Sequence, residues 1–120
     1  MQVHRVIPIL RIFDVAKARE FYLDFLGFAV DWEHRFEPGA PLYMQVSRDG
    51  AILHLSEHHG DATPGSNVFV DITGIGDFHR ELNAKHYTYL RPGLQAAPWG
   101  GQLMEVIDPF GNRLRFSEAA

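Results

Sequence analysis

From Leu42 to Glu57 apolar and polar positions alternate, and Asp49-Gly50 interrupts them with a strong hairpin-turn signal. Placing those two residues at the tip pairs Val46 with Leu53, Met44 with Leu55, Gln45 with His54 and Tyr43 with Ser56. One face of the predicted hairpin is then apolar, and the other carries Tyr43, Gln45, His54 and Ser56. Upstream, Val3 to Phe13 is apolar on both faces and reads as a doubly buried strand. Pro8 in its middle has no N–H for a ladder, so it predicts an edge, a bulge or a bend. Asp14 is placed to cap a helix with an inward stripe of Val15, Ala18, Tyr22, Phe25 and Leu26, closed by Gly27. Phe28 to Phe36 resumes extended structure until Glu37-Pro38-Gly39-Ala40-Pro41 breaks it.

Past a turn-rich connector at His58–Ser66 the order starts again. Asn67–Ile72 reads as a strand, Thr73-Gly74 as a helix start, and Ile75, Phe78 and Leu82 as a helical stripe ending near Lys85 and His86. His86–Leu90 is predicted to be the next strand, followed by a loop-rich stretch to Gly101. Gln102–Ile107 and Arg113–Phe116 form a last hairpin around Asp108-Pro109-Phe110-Gly111-Asn112. Just before it, Pro98-Trp99-Gly100-Gly101 holds an indole beside two glycines, a platform for a flat ligand or simply rim packing. The chain is thus an internal repeat of about 60 residues, each copy reading as strand, helix and three strands.

Composition narrows the function classes. A chain of 120 residues, 46% hydrophobic and 22% charged, fits one globular domain. No apolar run approaches the roughly 18 to 20 residues that span a bilayer, and the cytoplasm is the expected compartment. Without cysteine there is no disulfide framework, thiolate nucleophile or cysteine-based zinc site. The net charge of −4, with basic residues scattered, argues against nucleic acid as a partner.

Asp14 followed by Phe21-Tyr22 and Leu26-Gly27-Phe28, together with Asp108-Pro109-x-Gly111-Asn112, resembles the vicinal-oxygen-chelate superfamily along essentially the whole chain. Its members include glyoxalase I, extradiol dioxygenases and bleomycin-resistance proteins. Ile7-Pro8-Ile9-Leu10, Leu55-Ser56 and Pro98-Trp99-Gly100 look most like the bleomycin-resistance branch. The resemblance implies an α+β fold of two βαβββ modules, here 1–58 and 66–118 of a single domain. It also implies a homodimer that exchanges its N-terminal strand at Pro8, with the ligand in a crevice between subunits.

The same resemblance frames the metal question. Metal-dependent relatives carry ligands on the first and fourth strands of module one and the first and last strands of module two. Those positions fall on Ile7, His54, Val68 and Arg115. Two aliphatic side chains and a guanidinium offer no lone pair, and one imidazole does not make a catalytic metal site. A site joining His54 to His58-His59 is disfavoured because adjacent strand residues point to opposite faces. His4, His34, His79 and His86 read as surface or edge residues. No cofactor and no metal are therefore expected. Val70 falls where the bleomycin-binding relatives offer a second aromatic, leaving Trp32, Phe36 or Phe110 to partner Trp99.

The expected function is a metal-free binder of a planar cationic antibiotic of the bleomycin class. Trp32, Phe36 and Trp99 would stack on it, and Tyr43, Gln45, His54, Ser56, Glu105 and Arg115 would supply polar contacts. The alternative is a metal-dependent superfamily enzyme, or acid–base chemistry through His54, Ser56, Glu105 and Arg115. A protein-binding module that reuses the crevice is the third possibility.

Overall fold

The computed structural model describes residues 1–120. Its elements are β1 (Ile9–Arg11), α1 (Val15–Arg19), β2 (Ala29–His34), β3 (Tyr43–Arg48), β4 (Ala51–Ser56), β5 (Asn67–Asp71), α2 (Ile75–Ala84), β6 (Gln95–Ala96), β7 (Gln102–Ile107) and β8 (Arg113–Glu118). They form two four-stranded sheets with the orders β1-β4-β3-β2 and β5-β8-β7-β6. In each, the first strand runs parallel to the last and the remaining pairs are antiparallel. This is an α+β fold of two βαβββ modules.

Asp14 caps α1 by accepting from the Lys17 N–H at 2.9 Å. After Arg19 the helix widens into a π-helical turn over Glu20–Phe25. The extra residue per turn lets the adjacent Phe21 and Tyr22 both face inward. A strict 3.6-residue period assigns only Tyr22 to that side, yet both rings are fully buried. With Ala18, Phe25 and Leu26 they enter a core of 19 residues drawn from both modules.

Two sequence expectations need correction. The strand expected over Val3–Phe13 shrinks to Ile9–Arg11, and nothing before Pro8 pairs as a strand within the chain. Pro8 marks the point where the chain joins the sheet, its carbonyl accepting from the His54 N–H at 3.0 Å. No strand forms at His86–Leu90 either. His86 turns out of the helix with φ 52°, Tyr87 stacks on Phe25 at 4.6 Å, and the edge strand is Gln95–Ala96. The ring packing of Tyr87 outweighs the β propensity of the segment.

Tyr22 and the Asp108–Asn112 turn meet at the junction of the modules. The Tyr22 hydroxyl donates to Asp108 Oδ2 at 2.6 Å, and Asp108 Oδ1 accepts from the N–H groups of Phe110 and Asn112, both at 2.8 Å. The Asn112 amide donates to Asp108 Oδ2 and to the Arg11 carbonyl, each at 2.8 Å. Burial first, then the Asp108 charge, holds the Tyr22 phenol well above its ordinary pKa. At the opposite junction Arg48 grips Glu81 at 2.7 and 2.8 Å and the Leu26 carbonyl at 2.7 Å. Its guanidinium lies 4.9 Å from the Phe78 ring centre. Between them, these clamps fix how the two sheets sit together.

Candidate functional site

Each sheet turns one face to the core and leaves the other open. On the first sheet the register is Tyr43↔Ser56, Met44↔Leu55, Gln45↔His54 and Val46↔Leu53, and Met44, Val46, Leu53 and Leu55 are buried. Tyr43, Gln45 and His54 therefore share the open face. Trp32 joins them because of a bulge in β2: Val30 pairs with Val46, but Trp32 pairs with Gln45. The extra residue is Asp31. Without it, alternation would send Trp32 to the side of Val30.

Trp32 lies parallel to Tyr43 at 5.9 Å between ring centres, 9° apart, and edge-on to His54 at 5.2 Å. His54 Nδ1 is 2.7 Å from the Tyr43 hydroxyl and its Nε2 is 3.0 Å from Gln45 Oε1. Gln45 Nε2 donates to Asp31 Oδ2 at 2.9 Å, and the Ser47 hydroxyl donates to Asp31 Oδ1 at 3.0 Å. Burial, then the Arg5 charge, lowers the His54 pKa, while the amide and hydroxyl donors lower that of Asp31. Ser56 stands apart from this group. It is buried, its hydroxyl donates to Asp61 at 2.6 Å and accepts from the His58 N–H at 3.0 Å, so it ties down the following loop.

On the second sheet the open face carries Phe69, Glu105 and Arg115, since Phe69 pairs with Arg115 and Arg115 with Glu105. Val68 and Val70, read from the sequence as groove positions, pack against the core instead. A slip of one residue in counting along β5 exchanges its faces. The ring that meets Trp99 is thus Phe69, with centroids 6.4 Å apart, and the two are 54% and 61% exposed. None of the partners expected from sequence touches Trp99 within the chain. Trp32 packs on Tyr43, Phe110 on Phe13, and Phe36, 81% exposed, meets only His34 and His58 edge-on. The sequence held one signal for Phe69: Asn67 and Asp71 flank it at spacing two, so a strand with a polar face presents Phe69 on that face.

Trp99 stands on the turn between β6 and β7, closed by Ala97 N–H to the Gly101 carbonyl at 3.0 Å. Gly101 has φ +80°, and a Cβ there would sit 2.1 Å from the Glu118 carbonyl oxygen, so only glycine fits. Glu105 lies between two guanidinium groups, 2.9 Å from Arg113 and 3.4 Å from Arg115 Nε.

Two cavities have linings that include none of Trp32, Tyr43, Phe69 and Trp99. One of about 730 Å³ is bounded by Arg48, Phe28, Phe78 and Glu81, and one of about 490 Å³ by Lys17, Tyr87, Tyr89 and Asp108. Each sits at a junction clamp whose main charged group, Arg48–Glu81 or Asp108, is already paired. The open faces carry Trp32, Phe69 and Trp99 partly exposed beside polar groups, and they are the candidate site. Nowhere do three His, Cys, Asp or Glu side chains converge as a metal site would require.

The chain matches the family described as glyoxalase superfamily protein over residues 1–120. It belongs to that superfamily. A bleomycin-binding protein from bleomycin-producing Streptomyces verticillus, complexed with copper(II)-bleomycin, is similar at 25% identity and TM-score 0.74, covering 100% of this chain and 99% of that one. A bleomycin-binding protein complexed with bleomycin is 21% identical at TM-score 0.74, over 98% and 100% of the two chains. An antibiotic-binding protein from Streptomyces sp. CB03234 is 20% identical at TM-score 0.76, over 100% and 99%. No curated protein matches the chain. These likenesses establish the fold. No helix is long and apolar enough to cross a membrane.

Proposed function

We propose that this glyoxalase-superfamily protein binds a planar cationic antibiotic, or a small molecule of that shape, without a metal. The site is a groove formed where two copies exchange their N-terminal arms at Pro8. One observation carries the reading: Trp32, Phe69 and Trp99 stay 42%, 54% and 61% exposed beside the Tyr43–His54–Gln45–Asp31 network on one face and the Glu105–arginine pairs on the other. Large aromatic surface left in water beside a built polar network is characteristic of a stacking platform. The antibiotic-binding relatives with this fold support the same reading.

The arm supports the dimer. Met1–Val6 is exposed, with Val3 at 63% and Val6 at 87%, and its backbone has no strand partner in its own chain. Arm exchange would place the first open face of one copy against the second open face of the other. In that arrangement Trp99 and Phe69 grip the ring system and Trp32 and Phe36 line the opposite wall. Gln45, Tyr43, Glu105 and Arg115 then surround its polar groups, and His54, expected from the sequence as a contact, instead holds Tyr43 and Gln45 in place. A metal-dependent reaction fits the residues less well. His54 has both ring nitrogens engaged, and Ile9, Phe69 and Arg115, the open-face residues on the other strands, provide no lone pair.

The test is a titration with metal-free bleomycin followed by tryptophan emission, in the wild type and in Trp99→Ala. Binding by the wild type, weakened about tenfold or more by the substitution, is the expected result. Emission that does not change with bleomycin would remove this ligand.

A further inference from the structure

Four side chains on the first open face form a continuous chain of hydrogen bonds, and one of them fixes the direction of all the rest. Asp31 is a carboxylate and only accepts. The Gln45 amide must therefore turn its NH₂ toward Asp31, at 2.9 Å. That leaves Gln45 Oε1 facing His54 Nε2 at 3.0 Å, so Nε2 must carry the proton. The neutral ring then accepts at Nδ1, and the Tyr43 hydroxyl, 2.7 Å away, must donate to it. Each link follows from the one before.

We propose that Asp31 is a positioning residue which, through Gln45, sets the tautomer of His54 and turns the first open face into a hydrogen-bond-accepting surface that selects cationic donors over anions. The inference deepens the proposed function and rests on the open faces being a ligand site. His54 has nothing to offer a guest, because both nitrogens are engaged. Tyr43 spends its proton inward and shows an oxygen lone pair outward. Asp31 is exposed and carries a full negative charge. Of the four bonded side chains only Gln45 keeps a donor for a guest, its second N–H, while the Arg5 guanidinium that acts on His54 and Asp31 belongs to the exposed N-terminal arm. The β2 bulge is what puts Asp31 there, beside Trp32, so the ring that stacks and the group that sets polarity are delivered together.

Protonating His54 would reverse the surface. Nδ1 would donate, the Tyr43 hydroxyl would swing outward, and a positive charge would sit beneath the guest. The ionisable groups facing the imidazole are Tyr43 and Arg5, with Asp61 acting on Tyr43 and Asp31 at the far end of the chain of bonds. From β1 its paired neighbour is Ile9, which has no charge.

Two-bond nitrogen–proton NMR of the His54 ring in the full chain reads the relay directly, without any ligand. The wild type should show the Nε2–H form. Asp31→Lys, whose ammonium can only donate, should turn the Gln45 oxygen toward it and shift the population toward Nδ1–H, and Asp31→Glu should keep the Nε2–H form. An unchanged tautomer in Asp31→Lys overturns the relay. Selectivity is read with a flat cation, proflavine, against a flat anion, naphthalenedisulfonate. Gln45→Leu keeps the Asp31 charge but cuts the chain, and should reduce the preference for proflavine about three- to tenfold. A preference unaltered in Gln45→Leu overturns the relay as its source. Failure of both dyes and of bleomycin to bind the wild type would remove the ligand site, and with it the selectivity, while the NMR result still decides the relay.

Discussion

The two open faces are built on the same βαβββ scaffold yet solve different problems. On the first, Trp32 lies flat against Tyr43, and every nitrogen and oxygen from Tyr43 to Asp31 has a partner. On the second, Phe69 and Trp99 lean together at 50° and are each more than half exposed, beside Asp71 at the end of β5 and Glu105 with its two arginines. One face is rigid and polar in a set direction; the other is an open pair of rings. A groove made of both would orient a guest with the first and stack it on the second.

That division holds only while the clamp between the modules holds, so breaking the clamp should have the largest effect. Asp108→Ala removes the acceptor for Tyr22 Oη, the Asn112 amide and two backbone N–H groups, all buried or partly buried. Leaving those donors unpaired costs roughly 3–5 kcal/mol. In urea, the unfolding midpoint should drop with an unchanged m-value, and both faces should lose binding together. Loss of stacking alone, with the midpoint unmoved, would mean that the turn belongs to the second face rather than to the frame.

The frame was far more legible in the sequence than the faces. Asp49-Gly50 fixed the β3–β4 register residue by residue, because a two-residue hairpin leaves no freedom. The Asp14 cap, the two helical stripes and the last hairpin followed from period and turn chemistry. What escaped were single-residue offsets. The π-turn adds one residue and buries Phe21 with Tyr22. The bulge adds one at Asp31 and carries Trp32 to the other side of β2. Carrying the resemblance onto β5 chose Val68 and Val70, each one residue away from Phe69 on the open face. Each offset leaves the apolar pattern nearly intact, so composition alone does not reveal it. Ser56 was misread for a different reason: its partner Asp61 lies in a connector whose course the pattern does not constrain.

The β5 offset can be tested with a pair of substitutions of intermediate effect. Phe69→Ala removes an exposed ring, so it should leave thermal stability within about 0.5 kcal/mol while weakening bleomycin binding about tenfold. Val70→Ala trims a side chain packed on the core, costing about 1–2 kcal/mol and leaving affinity unchanged. The reverse result would put Val70 on the open face.

The smallest effect expected is also the one that separates the two faces by pH. Burial, then Arg5, lowers the His54 pKa, so the folded state disfavours the charged ring. The unfolded chain therefore binds its proton first as pH falls. Stability is full above the ordinary histidine range and declines between that range and the lower folded value. The decline is small because His54 is only partly buried. A Trp99→Phe variant leaves Trp32 as the sole indole, edge-on to His54 at 5.2 Å. Its emission should fall as the imidazolium forms, with a midpoint below that of an exposed histidine, and His54→Gln should abolish the transition. The counterpart Trp32→Phe variant, reporting from Trp99, should stay flat over the same range. A midpoint at or above the ordinary histidine value would mean that the ring is already wet and free, and the first face would then lose the rigidity that distinguishes it from the second.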